Sequence, residues 1–401
     1  MRRTAAVGPV ACYAALGIFW GTWAALIPQL KLQTNSSDGE LGAAMLVSGV
    51  GAILAMLVVG RLWHRFGWYL LPVTGLWFAI AGLGLALANS TPTLALALFF
   101  IGGGSGALDV AMNAAVSDVE VGSGSRLMYG AHALFSLAVL VASVATGFAR
   151  QAGFGPWPIL TAVALIIAAI TVSTVVSARG MHRPTASAPT IGPAAASNRR
   201  GTLLGGLAAL AVLCAVGYMI EDASQNWSAL HLERELGASP ALSGAAPGIF
   251  AAAMFVGRSS GQRLGARFSE RGLFAGGAAV AAVGLAVLAA APTPIVALAG
   301  LAGAGAGIAL VAPALYGRAG QEANADDRGK AIARLTVFGY TGFIVGPALI
   351  GFISQASNLR VGIGTLAVLA VGLAVGGYLV LRGPAKADFS ANEELLKTGR
   401  A

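Results

Sequence analysis

Long apolar stretches alternate with short polar connections along the whole chain. Each stretch holds about 20 residues, which as a helix rising 1.5 Å per residue spans a hydrocarbon layer about 30 Å thick. Lipid offers the backbone no hydrogen-bond partners, so such stretches are helical. The pattern predicts an all-α integral membrane protein with twelve transmembrane helices. The spans lie near 7–29, 40–60, 69–89, 93–116, 127–149, 156–178, 203–230, 241–259, 272–291, 293–317, 331–355 and 360–381.

One connection is much longer than the others and has a different composition. Residues 179–202 are rich in Ala, Ser, Thr, Pro and Arg and contain almost no apolar bulk, which is typical of a flexible linker. This segment divides the chain into an N-terminal six-helix bundle at 1–178 and a C-terminal one at 203–382. A polar tail follows at 383–401. We expect both the linker and the tail to be cytoplasmic.

Short motifs recur in the two halves, which favours a duplicated six-helix unit. The matched segments are Trp23-Ala24-Ala25-Leu26 with Trp227-Ser228-Ala229-Leu230, Gly60-Arg61 with Gly257-Arg258, and Gly104-Ser105-Gly106 with Gly305-Ala306-Gly307. Parallel repeats related by an axis along the membrane normal are a known transporter architecture. The chain contains 56 glycines. In lipid, small residues let helices pack closely.

Positive charge is distributed unevenly about the twelve spans. With both termini on one side, all but four of the 25 Lys and Arg fall on that side; the four are Lys31, Arg150, Arg234 and Arg360. Cytoplasmic loops carry the excess of Lys and Arg in membrane proteins. We therefore expect a multi-pass protein of the bacterial inner membrane with both termini in the cytoplasm. Basic residues that lie in short loops and form no patch argue against nucleic acid as a partner.

Several other function classes lack their sequence signals. Cys12 and Cys214 lie in apolar spans and read as small core residues, with no disulfide or metal-ligand spacing around them. The sequence has no phosphate-binding G-x-x-x-x-G-K-[ST] loop and no H-E-x-x-H. The glycine-rich segment at 102–107 follows no strand, so it is not a dinucleotide site. We expect no cofactor, no metal and no enzymatic activity.

Four acidic or histidine side chains lie well inside the spans: Asp109, His132, Glu221 and Asp222. Such groups cost about 2.5–3.5 kcal/mol each to insert, so they usually face a water-filled cavity or a partner. Asp109 and His132 fall at similar depth on successive helices, where a carboxylate and an imidazole can exchange a proton. Asn113 is one turn from Asp109 on the same face. Structural polar contacts between helices remain an open alternative for both groups.

The adjacent acids of the seventh span point about 100° apart, so only one of them faces a central cavity comfortably. Aromatic side chains offer stacking surfaces for a solute: Trp20, Trp23, Tyr218, Trp227 and Tyr340. Trp20 and Trp23 share one helical face. Lipid-interface anchoring remains an alternative for Trp23 and Trp227, which lie near a span end.

The loop after the second span, GRLWHRFG at 60–67, resembles the inner-loop signature of the major facilitator superfamily. Gly60, Arg65 and Gly67 match, and His64 stands where that family usually has Asp. The second half repeats the motif as GRSSGQRLGARF at 257–268, with Gln262 at the Asp position. DVAMNAAVSDVE at 109–120, HALFS at 132–136, NWSAL at 226–230 and GYTGFIVGPALIG at 339–351 are similar to an uncharacterised bacterial branch, distantly related to fucose permease-type sugar–proton symporters.

The resemblance implies roles for individual residues. Asp109 with Asn113 matches an acidic-x-x-x-Asn pattern in which the acid is a protonation and substrate site. The first and seventh helices line the cavity in this family, and Glu221 fits the branch pattern better than Asp222. The expected proton-coupling residues are Asp109, His132 and Glu221; the expected substrate contacts are Trp20, Trp23, Asn113, Tyr218, Asn226, Trp227 and Tyr340.

The same resemblance implies loop latches and a pivot. We expect Arg61 or Arg65 to pair with Asp118 or Glu120. Arg263 or Arg267 would pair in the same way with Glu322, Asp326 or Asp327. The full set of expected gating and loop-motif residues is Gly60, Arg61, Arg65, Gly67, Asp118, Gly257, Arg258, Arg263, Gly346 and Pro347. We interpret Gly346-Pro347 on the eleventh span as a flexible point that lets the two halves rock.

The sequence thus favours a secondary active transporter that works by alternating access as a proton-coupled symporter. A proton-coupled exporter of a small metabolite or drug is the alternative, and a membrane-embedded sensor or enzyme is more remote. The expected partners are the lipid bilayer, a small-molecule substrate and protons, and the chain is expected to act as a monomer.

Overall fold

The computed structural model describes residues 6–123, 127–178, 203–322 and 328–382 of the 401-residue chain. The predicted linker at 179–202 and tail at 383–401 lie outside these ranges. Within them the chain is helical, and a single 3₁₀ turn, Gly67–Tyr69, joins the second helix to the third. The helices are α1 Val7–Thr34, α2 Asp38–Phe66, α3 Leu70–Leu87, α4 Thr91–Ser123, α5 Met128–Gln151, α6 Pro156–Ala178, α7 Leu203–Leu236, α8 Pro240–Gly265, α9 Glu270–Ala290, α10 Pro294–Ile308, α11 Val311–Glu322, α12 Arg328–Ala356 and α13 Leu359–Val380.

Length and composition make this a multi-pass membrane protein. Eleven continuous stretches of the described chain are long and apolar enough to cross a bilayer, and one of them, Asp38–Leu87, contains both α2 and α3. The chain therefore makes twelve crossings, as predicted. Several helices are longer than their apolar spans: α7 has 34 residues and is about 50 Å long, so its ends extend beyond the hydrocarbon layer.

The tenth crossing differs from the single helix expected at 293–317. It consists of α10 and α11, separated by a turn at Ala309 and Leu310. Pro313 has no amide hydrogen to donate to the carbonyl of Ala309, and its ring clashes with that carbonyl in a regular helix. The break therefore follows directly from the proline.

The helices pack as two pseudo-symmetric groups. In the first, α1 packs on α5, α2 on α4, and α3 on α6; in the second, α7 packs on α12, α8 on α10, and α9 on α13. The groups meet mainly along α2 with α12 and α5 with α8. Cys12 and Cys214 are buried inside their groups, as expected for small core residues.

Close approach of backbones explains one glycine in each of the two groups. A Cβ on Gly102 of α4 would collide with the main-chain oxygen of Ser48 on α2. A Cβ on Gly305 of α10 would lie 2.6 Å from the main-chain oxygen of Phe250 on α8. No hydrophobic driving force acts between helices in lipid. Small residues compensate because they let the helices approach closely and form van der Waals contacts.

Twelve crossings is an even number, so α1 begins and α13 ends on the same side. We call this side the terminal face and the other side the opposite face. The connections at the opposite face are short and well capped. Ser37 and Glu40 form a capping box at the start of α2, and Asn358 caps α13.

Candidate functional site

A cavity of about 300 Å³ lies between the two helix groups. The predicted residues Trp20, Trp23, Asp109, Asn226, Tyr340 and Pro347 line it. Asp222 lines it as well, together with Ser105 and Phe343, which the sequence reasoning did not single out. The lining residues include two carboxylates and no Lys, Arg or His. The cavity wall is therefore aromatic and apolar, with acid groups as its formal charges.

Asp109 is held by a side chain one turn further along α4. Nδ2 of Asn113 donates to the main-chain oxygen of Asp109 at 2.8 Å and to its Oδ1 at 3.0 Å. Oδ1 of Asn113 accepts a 2.7 Å hydrogen bond from the hydroxyl of Tyr13 on α1. Asn113 thus fixes the carboxylate from behind the cavity wall and does not line the cavity itself.

Asp222 has a matching arrangement on α7. Nδ2 of Asn226 donates to the main-chain oxygen of Asp222 at 3.0 Å, and Oδ1 of Asn226 accepts from Nε1 of Trp23 on α1 at 2.8 Å. Both acids therefore have an Asn four residues later whose oxygen is held by an aromatic donor of α1. This Asp-x-x-x-Asn spacing, shared with Asp109 and Asn113, is a signal in the sequence that could have pointed to Asp222.

The preference for Glu221 as the residue facing the cavity was wrong. Asp222 lines the cavity, whereas the Glu221 carboxylate lies 3.3 Å from Nη2 of Arg258 on α8. Glu221 therefore has a basic partner on the neighbouring helix. The long Arg258 side chain reaches α7 from a position near the terminal face, and it is 44% exposed.

His132 does not contact Asp109 directly. No hydrogen bond or ion pair joins these two described side chains, because α5 packs on α1 and hardly touches α4. The rings of His132 and Tyr13 instead form a T-shaped contact with centroids 5.0 Å apart, and the Tyr13 hydroxyl donates a hydrogen bond to Asn113. His132 is exposed on the terminal side of the cavity. The predicted pair is therefore replaced by a chain of side chains.

The tryptophans belong to the interior. Trp20 donates to Oγ of Ser105 at 3.2 Å, which fixes its ring at the cavity wall. Trp23 is 2% exposed, and Trp227 is completely buried and donates to the main-chain oxygen of Pro347 at 3.1 Å. Neither Trp23 nor Trp227 faces lipid, so the lipid-anchor alternative fails for both. Trp227 packs behind the cavity and does not line it.

An aromatic cluster forms the wall on the side of α12. Tyr340 and Phe343 line the cavity. Tyr218 lies behind them, stacked on Phe343 with centroids 4.4 Å apart, and its hydroxyl is 3.2 Å from that of Tyr316. Tyr218 therefore supports the wall, although it was expected to contact a solute.

The expected latch of the first loop motif is not formed by the described residues. Arg61 donates to the carbonyl of Leu57 on its own helix, and the guanidinium of Arg65 lies 5.4 Å from the ring centre of Phe66. Asp118 lies beside Trp68 instead of an arginine. A second predicted partner, Glu120, accepts a hydrogen bond from the amide of Met128.

Two glycines of this motif have different surroundings. Gly67 ends α2 with a φ of 52°, a left-handed conformation that glycine adopts without strain. Gly60 has open space where a Cβ would lie.

The second loop motif also differs from the expectation. Glu322 pairs with Arg318 of its own helix at 2.6 Å, and Arg263 is exposed. Asp326 and Asp327 lie outside the described residues. A Cβ on Gly257 would lie 2.5 Å from the carbonyl of Ala306, so this glycine serves packing of α8 on α10.

The pair Gly346-Pro347 lies inside a continuous α12. Pro347 lines the cavity and has no amide hydrogen for the carbonyl of Phe343. A Cβ on Gly346 would lie 2.8 Å from the main-chain oxygen of Met219. A role as a pivot stays a prediction.

The cavity is closed toward the opposite face. Arg150 and Glu233 join the two halves at 2.7 Å, as do Arg234 and Asp38. Further hydrogen bonds between the halves run from the Gly39 amide to Gln355, from the Ala241 amide to Gln151, and from Trp23 to Asn226.

All four basic residues that the charge pattern assigned to this side lie here. Lys31 pairs with Asp38, and Arg360 lies 3.8 Å from Glu235.

The terminal side has no such links among the described residues. Among the described residues, every polar contact between the halves lies between the cavity and the opposite face, whereas His132 and Arg258 are exposed near the terminal face. The cavity therefore opens toward the terminal face in this conformation.

Comparison with known proteins identifies the family. The family model of the Major Facilitator Superfamily matches residues 207–399. An uncharacterized MFS-type transporter of Yersinia pestis is 30% identical over 91% of this chain and 93% of its own length. The chain belongs to the Major Facilitator Superfamily. An uncharacterized transporter of Sinorhizobium fredii is 28% identical over 88% of this chain and 92% of its own, and the membrane protein MosC of Rhizobium meliloti is 26% identical over 90% and 85%.

Solved structures of major facilitator transporters share the fold. A nucleoside transporter matches with a TM-score of 0.77 and 13% identity over 94% of this chain and all of that chain. A D-xylose–proton symporter matches with a TM-score of 0.69 and 15% identity over 95% and 98%. The predicted family and fold are confirmed, and the chain is a transporter rather than an enzyme.

Proposed function

We propose that this major facilitator protein is a proton-coupled symporter that moves a small solute by alternating access. The observation that carries the proposal is the position of Asp109. Its carboxylate lines a cavity that is closed toward one face and open toward the other. An ionised acid inside a bilayer has a high free energy unless it faces a water-filled cavity or a partner group. The partner of Asp109 is a neutral Asn, so its charge is free to change.

A proton gradient is a sufficient energy source for one such group. Moving one charge through the membrane potential is worth about 2.3 kcal/mol per 100 mV. Protonation of Asp109 would remove the charge that opposes closing the cavity around a solute. The loaded form with Asp109 protonated would then rock to the other side, where it releases the solute and the proton.

The terminal face is the cytoplasmic face in this proposal, because the Lys and Arg residues are concentrated there. The conformation described is then open to the cytoplasm, with the ion pairs of the opposite face closing the periplasmic side. Transport into the cell requires those pairs to separate and the terminal side to close.

The solute is small, because the cavity measures about 300 Å³ in this conformation. A sugar-sized molecule is consistent with the resemblance at Asp109 and Asn113. One structural neighbour is named as a nucleoside transporter and another as a D-xylose–proton symporter. Their identities of 13% and 15% relate them to this chain through fold alone.

Proton flux in proteoliposomes tests the proposal. Purified protein is reconstituted with a pH-sensitive dye inside, and sugars, nucleosides, amino acids and amines are added outside singly. Symport predicts that a transported solute acidifies the interior, whereas the exporter alternative predicts alkalinisation.

Asp109→Asn should abolish solute-driven proton flux and leave expression and folding intact. Glu322→Gln, which changes an acid outside the cavity, is the control. Normal coupled flux in the Asp109 variant would remove Asp109 from the mechanism.

A further inference from the structure

We propose that the solute carries a protonated amine, which Asp222 binds, while Asp109 holds the coupling proton. This inference rests on the proposed function and adds the chemical class of the substrate. It starts from the charge of the cavity, whose lining residues include two carboxylates and no basic side chain. An ammonium group is the solute feature that such a site compensates best.

The two acids are not equivalent. Asp109 already accepts a hydrogen bond from Nδ2 of Asn113 at 3.0 Å. Asp222 has Asn226 at the same spacing, and this amide donates to the main-chain oxygen of Asp222 and also lies beside its carboxylate. Unlike Asp109, Asp222 has a second acid next to it, Glu221, which pairs with the nearby Arg258. Among the described residues, no Lys or Arg forms an ion pair with Asp222.

A buried carboxylate without a cation is unfavourable, so the charge class of the solute matters. A carboxylate solute would add a third negative charge to the cavity. A neutral solute would leave Asp222 without a counter-charge. An ammonium supplies three donors and a positive charge, and charge-assisted hydrogen bonds are about twice as strong as neutral ones.

The cavity walls suit the same class of molecule. Trp20, Tyr340 and Phe343 all line the cavity, and cations are attracted to the faces of aromatic rings. The hydrogen bond from Trp20 to Ser105 holds the indole in place, so its face is preorganised. The rings also accommodate the apolar or ring-shaped body that carries the amine.

The positions of Asp109 and Asp222 favour different roles for the two acids. Asp109 connects through Asn113 and Tyr13 toward His132, which is exposed on the terminal side. This route lies where protons exchange with water in the conformation described. Asp222 instead lies one helical turn from Asn226, which bonds to Trp23 and helps close the opposite face. An ammonium bound at Asp222 would therefore act directly on the contact that must break to open that face.

Two matched series of probes test the charge preference. The first is tryptamine, tryptophol and indole-3-acetate; the second is D-glucosamine, D-glucose and D-glucuronate. Within each series the ring is the same and the substituent is ammonium, neutral or carboxylate. Binding to detergent-purified full-length protein is measured by isothermal titration calorimetry at neutral pH.

We expect the ammonium member of at least one series to bind about tenfold or more tightly than the other two members. Asp222→Asn should reduce its affinity to that of the neutral member, and Asp222→Glu should retain the preference. Glu322→Gln, which removes an acid outside the cavity, is the control and should leave the preference unchanged. If Asp222→Asn does not fold, binding of the two series to the unsubstituted protein and to Asp222→Glu still tests whether the site prefers an ammonium.

The inference is overturned if no ammonium member binds, or if a neutral or carboxylate member binds as tightly in both series. It is also overturned if Asp222→Asn folds and keeps the preference. Proton flux in proteoliposomes separates this failure from failure of the proposed function. Ammonium-selective binding without proton flux would contradict the proposed proton coupling but not the amine substrate. Proton flux driven only by neutral solutes would contradict the amine substrate but not the proton coupling.

Discussion

The indole of Trp23 on α1 donates a 2.8 Å hydrogen bond to Oδ1 of Asn226 on α7, and both residues are buried. This bond joins the first helix of one half to the first helix of the other. In the internal repeat Trp23 corresponds to Trp227, which follows Asn226 in the chain. Trp227 bonds to the carbonyl of Pro347 instead. The repeat is therefore broken at the contact that crosses between the halves.

The hydrogen bond between Trp23 and Asn226 connects the cavity to the contacts that close the opposite face. Asn226 also donates to the main-chain oxygen of Asp222, and Trp23, Asn226 and Asp222 all line the cavity. A solute that binds Asp222 or displaces Asn226 will therefore disturb the hydrogen bond from Trp23 to Asn226, which joins the two halves. Alternating access needs such a coupling, because binding must change the relative stability of two conformations.

Trp23→Phe should weaken the closure of the opposite face. The substitution keeps most of the aromatic volume and leaves the buried oxygen of Asn226 without its donor, which costs about 1–3 kcal/mol. The closed arrangement loses this bond, so the fraction of molecules open at the opposite face should rise. The measurement is the labelling rate of a cysteine at position 45, which lines the cavity, by an impermeant maleimide added from the opposite side.

This experiment is done in a background without Cys12 and Cys214. Trp157→Phe is the matched control, because Trp157 lies at the same end of the fold and is 52% exposed. Equal labelling rates in the Trp23 variant and the control would mean that this bond does not hold the face closed.

The fold was largely predictable because its determinants are local or periodic. Lipid requires helices, and the lengths of the apolar stretches gave twelve crossings, with boundaries displaced where helices extend into water. The break between α10 and α11 was missed, although Pro313 carries the signal, because apolar length alone treats a proline like its neighbours. The residues of the linker and the tail lie outside the described ranges, so those two predictions stay as they were.

Arg150→Ala should destabilise the closed opposite face more than an exposed ion pair would. Arg150 is 6% exposed, lies 2.7 Å from Glu233, and donates to the carbonyl of Ala25 at 2.8 Å. Its loss leaves Glu233 partly buried without a counter-charge, and we expect a cost of about 1–3 kcal/mol. Spin labels at positions 154 and 357, measured by double electron–electron resonance, report the population with the halves apart.

A double-mutant cycle isolates the pair itself. Glu233→Ala should have a smaller effect than Arg150→Ala, because Arg150 keeps its bond to the Ala25 carbonyl. If the double variant is as perturbed as the sum of the single variants, the ion pair contributes nothing to closure.

Tyr13→Phe should slow proton-coupled transport without weakening solute binding. The hydroxyl donates to Asn113 at 2.7 Å and so fixes the amide that holds Asp109. Without it Asn113 rotates more freely, and the carboxylate loses an oriented donor worth about 1 kcal/mol, or roughly fivefold in rate. The measurement is initial proton flux in proteoliposomes together with equilibrium affinity. Tyr129→Phe, at an exposed position, is the control, and an unchanged flux would exclude Tyr13 from the proton route.

The site was less predictable than the fold, because it depends on the rotation of each helix about its own axis. Glu221 and Asp222 are neighbours, and which of them faces the cavity is set by how α7 packs on α12 and α8. The partner of Glu221, Arg258, is distant in sequence and reaches inward with a long side chain. Tyr13 gave no signal, since one tyrosine in an apolar span is indistinguishable from a core residue.

Gly102→Ala should destabilise the first helix group strongly. The new methyl group would collide with the main-chain oxygen of Ser48, and backbone cannot move aside as a flexible side chain does. Overpacking of this kind costs about 1–3 kcal/mol or more. Gly372→Ala on α13 is the matched control, because nothing lies within 4 Å of its Cβ position. There the substitution should be neutral or stabilising by up to about 1 kcal/mol. Thermal unfolding in detergent compares the two variants, and equal midpoints would show that α2 and α4 do not depend on this close approach.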